Sequence, residues 1–358
     1  MGSNRRNVLK LAGASLATGV AGCLGSNEEN GNGTGGGDEP PAYTRWLAAD
    51  DDGGVGYVYV DLTTFENADT GNESTGGESN TDVQADPMVG LPMAGTVAAA
   101  IVVSFGLSAY GLEGMVDYGQ SEEQAGGTES MDSSVDAMIS TNEAVVLTGD
   151  IDTAEVDETL TTEPEGFSFT EQYERTDEIG DYPVYTPVDG EGNGSIAVGD
   201  SALVFTAGGD TDDPTGAIRT PIEAAAGDVE RATDELEAFD WLVSQAGHGD
   251  FVVGGYGNEF EPDATETAGD GGGNFSDIEN GSQDGFDAEY SELEGLEGGV
   301  GSLTLDEDGT QATGEFAAIL GDADADALEE SLGSSAAEST VEVADGRVTA
   351  SATWESLD

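Results

Sequence analysis

The chain offers few residues with which to do chemistry. Its 358 residues include 75 acids but one cysteine, one histidine and eight basic residues. His248 lies between Gly247 and Gly249, ahead of a strand-like run, and reads as a loop residue. One histidine without a cysteine beside it cannot build a typical zinc site, which needs three or four N and S ligands. Asp322, Asp324 and Asp326 alternate as in a calcium loop. The sixth position of such a loop wants glycine and the twelfth an acid, whereas here they are Ala327 and Gly333. These aspartates are expected instead at a helix N-terminus. Asp50 to Asp52, and Asp210, Asp212 and Asp213, are expected in solvated loops. Gly194-Ser195 and Gly301-Ser302 lack the Gly-x-Ser-x-Gly pattern and a basic partner. Lys10 is the only lysine, so no phosphate-binding glycine loop carries its lysine. Carboxylate pairs could support acid–base chemistry, but among 75 acids their presence discriminates nothing. The inventory points away from catalysis, with no metal and no cofactor expected, and toward binding or interaction. A structural envelope component and, after it, a surface hydrolase are the alternatives.

The cysteine is different because of its neighbours. Arg5 and Arg6 stand together, followed by Val8, Leu9 and Lys10. A short run of small apolar residues follows from Leu11 to Val20 and ends in Val20-Ala21-Gly22-Cys23. Over these 23 residues the chain resembles a twin-arginine export signal closed by a lipobox. The resemblance implies export in the folded state and cleavage before Cys23 once its thiol carries lipid. The implied partners are the export machinery and membrane lipid held through Cys23, on the extracytoplasmic face of the cell membrane. Two acyl chains, as a glycerolipid supplies, hold a protein firmly where one binds only marginally. Residues 1–22 are then signal, and 23–42 the lipidated cysteine and a linker. Leu24 to Pro41, rich in Gly, Asn, Ser and Glu, is expected to be a flexible tether with a typical reach of about 23 Å. With a single cysteine, no intramolecular disulfide is possible.

Beyond the signal, the 75 acids face only Arg45, Arg175, Arg219, Arg231 and Arg347, a formal net charge of −70. Self-repulsion of that size opposes compaction in dilute buffer. At molar salt the Debye length falls to roughly 3 Å and the repulsion is largely screened. An acid-rich, lysine-free chain behind such a signal is similar to lipoproteins of extremely halophilic archaea. No basic patch exists to neutralise phosphates, so nucleic acid is excluded as a direct partner. Hydrophobic residues make up 37% of the chain and fall in periodic runs, which argues for a folded ectodomain rather than disorder.

The elements follow from those runs. Val55 to Leu62 is β-branched and aromatic, a strand. Met88 to Leu112 runs for 25 residues without a charge, long enough to cross a bilayer. Pro92 and several glycines, with no flanking base, favour a long buried helix over a span. A helix is expected to start over 135–139, with strands over 143–149, 167–175, 182–187, 195–199 and 201–207. Helices are expected over 153–161, 220–227 and 231–245, and a strand over 251–256. Residues 262–286 read as a loop. A hairpin follows over 299–305 and 311–320, then a helix over 324–332 and a closing hairpin over 340–343 and 347–354. Residues 149–160 align without gaps on 321–332, each a Gly-Asp turn leading into a helix. Asp152 and Asp324 are expected near those helix N-termini. The fold class expected is α+β, with two related strand-helix-strand halves over 43–207 and 208–358, antiparallel sheets and the long apolar helix buried. Asn32, Asn72, Asn193, Asn274 and Asn280 head Asn-x-Ser/Thr triplets and are glycosylation candidates in an exported chain.

Overall fold

The computed structural model describes residues 40–50, 52–64, 83, 85–116, 131–163, 171–188, 194–206, 213–259, 293–306, 311–321 and 323–355. The expected signal, lipidated cysteine and most of the linker lie outside them, as does the loop 262–286.

The described residues are built on one antiparallel sheet. Its strands are β1 (Val55–Asp61), β2 (Ser134–Thr141), β3 (Ala144–Asp150), β4 (Tyr173–Ile179), β5 (Tyr182–Pro187) and β6 (Ile196–Val198). They continue with β7 (Ala202–Thr206), β8 (Phe251–Tyr256), β9 (Leu296–Leu305), β10 (Ala312–Leu320), β11 (Glu338–Ala344) and β12 (Arg347–Trp354). The 12 strands run in the order β11-β12-β10-β9-β8-β1-β2-β3-β7-β6-β5-β4. With the helices described below, this is an α+β fold. At the centre β1 pairs antiparallel with β8, Val58 opposite Val253.

Alternation along the strands feeds a core on each face. In β1, Val58 and Val60 point to one side, and Val55, Tyr57 and Tyr59 to the other. The first face carries α1 (Pro87–Tyr110), α2 (Thr153–Thr161) and the residues of α6 (Ala325–Ser331). The second carries the 3-10 turn Ala42–Trp46, α3 (Pro214–Ala226), α4 (Ala232–Glu235) and α5 (Glu237–Ala246). Each fully buried Val, Leu or Met side chain is worth about 1.5–3 kcal/mol.

Helix α1 is continuous over 24 residues although Pro92 lies inside it. Pro92 lacks an N–H, and its own carbonyl accepts an extra bond from Thr96 Oγ1 at 2.7 Å. The helix crosses β8, β9, β1 and β10. Glycine at 106 lets it come close: a Cβ there would sit only 2.5 Å from Cε2 of Phe205, whereas one at Gly95 would meet Val58 and Val253 at an ordinary 3.4 Å. The helix ends at Gly111, φ 71°, a left-handed conformation that glycine adopts without strain.

Several elements differ from the sequence reading. Residues 135–139 are not helical; they belong to β2, between β1 and β3. A register shift between Val135 and Ala137 breaks the alternation that would have marked the strand. The helix expected over 231–245 breaks at Leu236, which has extended φ −112° and ψ 94°. The helix expected from Thr220 begins at Pro214. Asp213 is its cap, accepting from Gly216 N at 2.9 Å, and not a free loop acid. The antiparallel sheets expected for the two halves are one continuous sheet, joined by β1 and β8. About half of the most apolar stretch of the long helix is buried.

Gly106 and Phe205 provide a test of the seat of α1. Gly106→Ala should cost about 1–3 kcal/mol through overpacking, less the roughly 1 kcal/mol gained in helix propensity. Combining it with Phe205→Leu should cost less than the sum of the two single changes in urea melts at molar KCl.

Candidate interaction surface

The surface of α1 stands out by charge. The other α-helices among the described residues all carry acids: Asp157 and Glu158 in α2, Glu223 in α3, Asp234 and Glu235 in α4. Glu237 and Asp240 lie in α5, and Asp326, Glu329 and Glu330 in α6. Helix α1 has no charged residue. Its inner side buries Met88, Pro92, Gly95, Ala99, Val103, Leu107 and Tyr110. One turn-to-turn strip faces the other way: Ala94, Val97, Ala100, Ile101, Ser104 and Ser108. Val97 is 39% exposed, one of only two large apolar side chains so exposed among the described residues. Ser104 spends its hydroxyl on Ala100 O at 2.7 Å, which leaves the strip nearly neutral.

Asp86 fixes the N-terminal end of this helix. Its carboxylate, 1% exposed, accepts from Met88 N at 3.2 Å, Gly333 N at 3.1 Å and Ser335 N at 3.0 Å. Ser335 Oγ also donates to it at 2.8 Å and in turn accepts from Trp354 Nε1 at 2.9 Å. A buried carboxylate is costly unless its lone pairs are filled. Here backbone N–H groups at the start of α1 and in the turn after α6 fill them. Helix α1 is thereby held against the sheet at a fixed height, with its uncharged strip turned outward.

Of the residues singled out in the sequence, His248 follows α5 and is exposed. It lies near enough to Glu315 to favour that carboxylate's charged form. Glu315 on β10 faces Ser302 on β9 and Ser351 on β12. Burial outweighs the imidazole and holds Glu315 above the usual carboxylate range. Ser302 is 2% exposed, and a Cβ at Gly249 would come 2.7 Å from its Cβ. The serine is roofed by the chain and unsuited to attack a substrate. Ser195, equally buried, lies before β6. Asp152 and Asp324 cap α2 and α6, each accepting from the N–H groups two and three residues on. Among the described residues no cluster of three metal-ligating side chains occurs.

All five arginines beyond the signal are engaged. Arg175 pairs with Glu178, and Arg219 with Asp177 at 3.5 Å and Glu223 at 3.6 Å. Arg231 Nε donates to Ala224 O at 3.2 Å. Arg45 lies 5.0 Å from the Trp46 ring centre and Arg347 4.4 Å from that of Trp241. Burial pushes the hydroxyls of Tyr43, Tyr57 and Tyr110 above their ordinary range, so they serve as neutral donors inside the core. Arg5, Arg6, Cys23, Asn32, Asn72, Asn193, Asn274 and Asn280 all lie outside the described residues. Sequence reasoning marked α1 as uncharged but did not find its outer strip, because no polar face distinguishes one side from the other.

No family model and no curated protein matches the chain. Among solved structures it is similar to two crystal forms of TP0453, a Treponema protein. Form I gives a TM-score of 0.40 at 11% identity, covering 88% of this chain and 94% of that one. Form III gives 0.35 at 9%, covering 90% and 96%. Likenesses of this size carry no weight for fold or function.

The raised pKa of Glu315 has a signed consequence. A carboxyl held above its unfolded value stabilises the fold fully below the unfolded pKa and loses that contribution as pH rises through the folded one. Glu315→Gln should therefore melt higher than wild type at pH 7 in molar KCl. The difference should shrink as pH falls toward 4, and thermal melts across that range measure it.

Proposed function

We propose that the protein is an exported, lipid-anchored surface protein with a salt-adapted ectodomain, acting by binding or interaction rather than by catalysis. The observation that carries the reading is the charge-free outer strip of α1 on a molecule whose other helices all present acids. Hydration of so many carboxylates keeps such a chain soluble, and a contact surface is where they must be absent. Ser302, which is roofed by the chain, is consistent with that reading. Export and anchoring rest on Arg5, Arg6 and the segment ending at Cys23. The chain is then held at the outer face of the cell membrane by lipid.

The ectodomain is also read as two related halves. In one, β1, β2 and β3 lead into α2; in the other, β8, β9 and β10 lead into α6. Each helix has an aspartate cap, each is followed by a hairpin, and both lie on the same face of the sheet. The first strands of the two halves pair antiparallel at the centre, as a two-fold axis normal to the sheet would place them.

Membrane fractionation tests the anchoring. Wild type should pellet with membranes until detergent is added, and Cys23→Ser should be recovered in the medium, with molar KCl throughout. If Cys23→Ser also pellets until detergent is added, the lipid is not the sole anchor.

A further inference from the structure

We propose that the outer strip of α1 is a self-association face that packs against α1 of a second copy about a two-fold axis. This rests on the reading of α1 as a contact surface and names its partner. Charge favours a second copy. Each molecule carries a formal −70 beyond its signal, so almost any symmetric contact sets acids against acids. Even with screening lengths of roughly 3 Å at molar salt, directly opposed carboxylates repel. Ala94, Val97, Ala100, Ile101, Ser104 and Ser108 hold no charge, and identical surfaces can meet there without that cost. A cationic partner would find no acid on the strip to pair with.

The chain's own neighbouring sequence does not fit as a cover. Residues 65–82 and 117–130, on either side of the helix, contain one Phe and one Tyr among acids and small polar residues. That is too little apolar surface to bury a strip along 24 residues. The described chain begins at Pro40, beside the turn Ala42–Trp46, on the face opposite α1. Two copies joined through α1, with the axis normal to the membrane, leave both starting points at equal height on the outer flanks.

The size of the strip sets the strength. A 24-residue helix is about 36 Å long, and a strip about 10 Å wide buries roughly 700 Å² over both copies. Stable interfaces bury about 1,200–2,000 Å², so the contact is weak in solution. Confinement of anchored copies to one membrane surface raises their effective concentration and compensates.

A lone cysteine tests this without reference to the anchor. In purified Cys23→Ser protein, Val97→Cys supplies the only thiol. Oxidation at high protein concentration in molar KCl should give a disulfide dimer on non-reducing gels. It should form at least tenfold more than with Asp240→Cys on α5, and adding Ile101→Glu should abolish it. Flotation of Cys23→Ser with phosphatidylcholine vesicles in the same salt should leave the protein in the lower fractions. Equal cross-linking at positions 97 and 240, a dimer indifferent to Ile101→Glu, or flotation with the vesicles through α1 would each overturn the proposal. Because the probe lacks Cys23, a failed lipid anchor would show in membrane fractionation and not here.

Discussion

Carboxylate hydration and apolar burial pull this chain in opposite directions, and α1 is where they are reconciled. A helix of 24 residues without a charge is long and apolar enough to cross a membrane, and about half of that stretch is buried inside the molecule. The sheet takes one side of it. At Gly95 the helix lies over Val58 and Val253, at the junction of β1 and β8, and Gly106 makes room for the ring of Phe205. The close approach binds together the central strands on which the order of the whole sheet depends. Asp86 closes the arrangement by spending a buried negative charge on the start of α1 and on the turn after α6.

The second face is settled by ordinary packing. Tyr43 stacks on Tyr59 with ring centres 4.4 Å apart, and its hydroxyl donates to Gly247 O at 3.1 Å. Phe239 meets the Tyr57 ring edge-on at 5.8 Å. These aromatic contacts draw the first turn of the described chain and α5 into one layer on β1, while the outward positions of α5 keep the acids. Stability thus comes from two thin apolar layers around one sheet. The surface charge contributes solubility and a demand for salt.

Much of this was legible in the sequence where one local rule acted alone. Asp152 and Asp324 announced α2 and α6, because an aspartate just ahead of a helix fills its free N–H groups, although Gly149 and Asp150 end β3 rather than forming a turn. The strands over Val55–Asp61 and Phe251–Tyr256 followed from β-branched and aromatic composition. Where rules competed, the reading failed. The register shift in β2 hid the alternation of Val135, Met138 and Ile139. The role of Asp86 depends on partners 247 and 249 residues away, which no local pattern reveals. The length of α1 was plain, but not which side it buries, because a sequence without polar positions has no face to read. The two exposed serines and Val97 gain meaning only against the acids of the neighbouring helices.

The account turns on α1 being a core helix with one free side. Hydrogen exchange of the detergent-free Cys23→Ser protein in molar KCl tests this most directly. Backbone amides of α1 between Gly95 and Leu107 should exchange as slowly as those of β1 and β8, since all open only with the sheet. Fast exchange there without detergent, turning slow when lipid or detergent is added, would contradict the account and make the helix a membrane element.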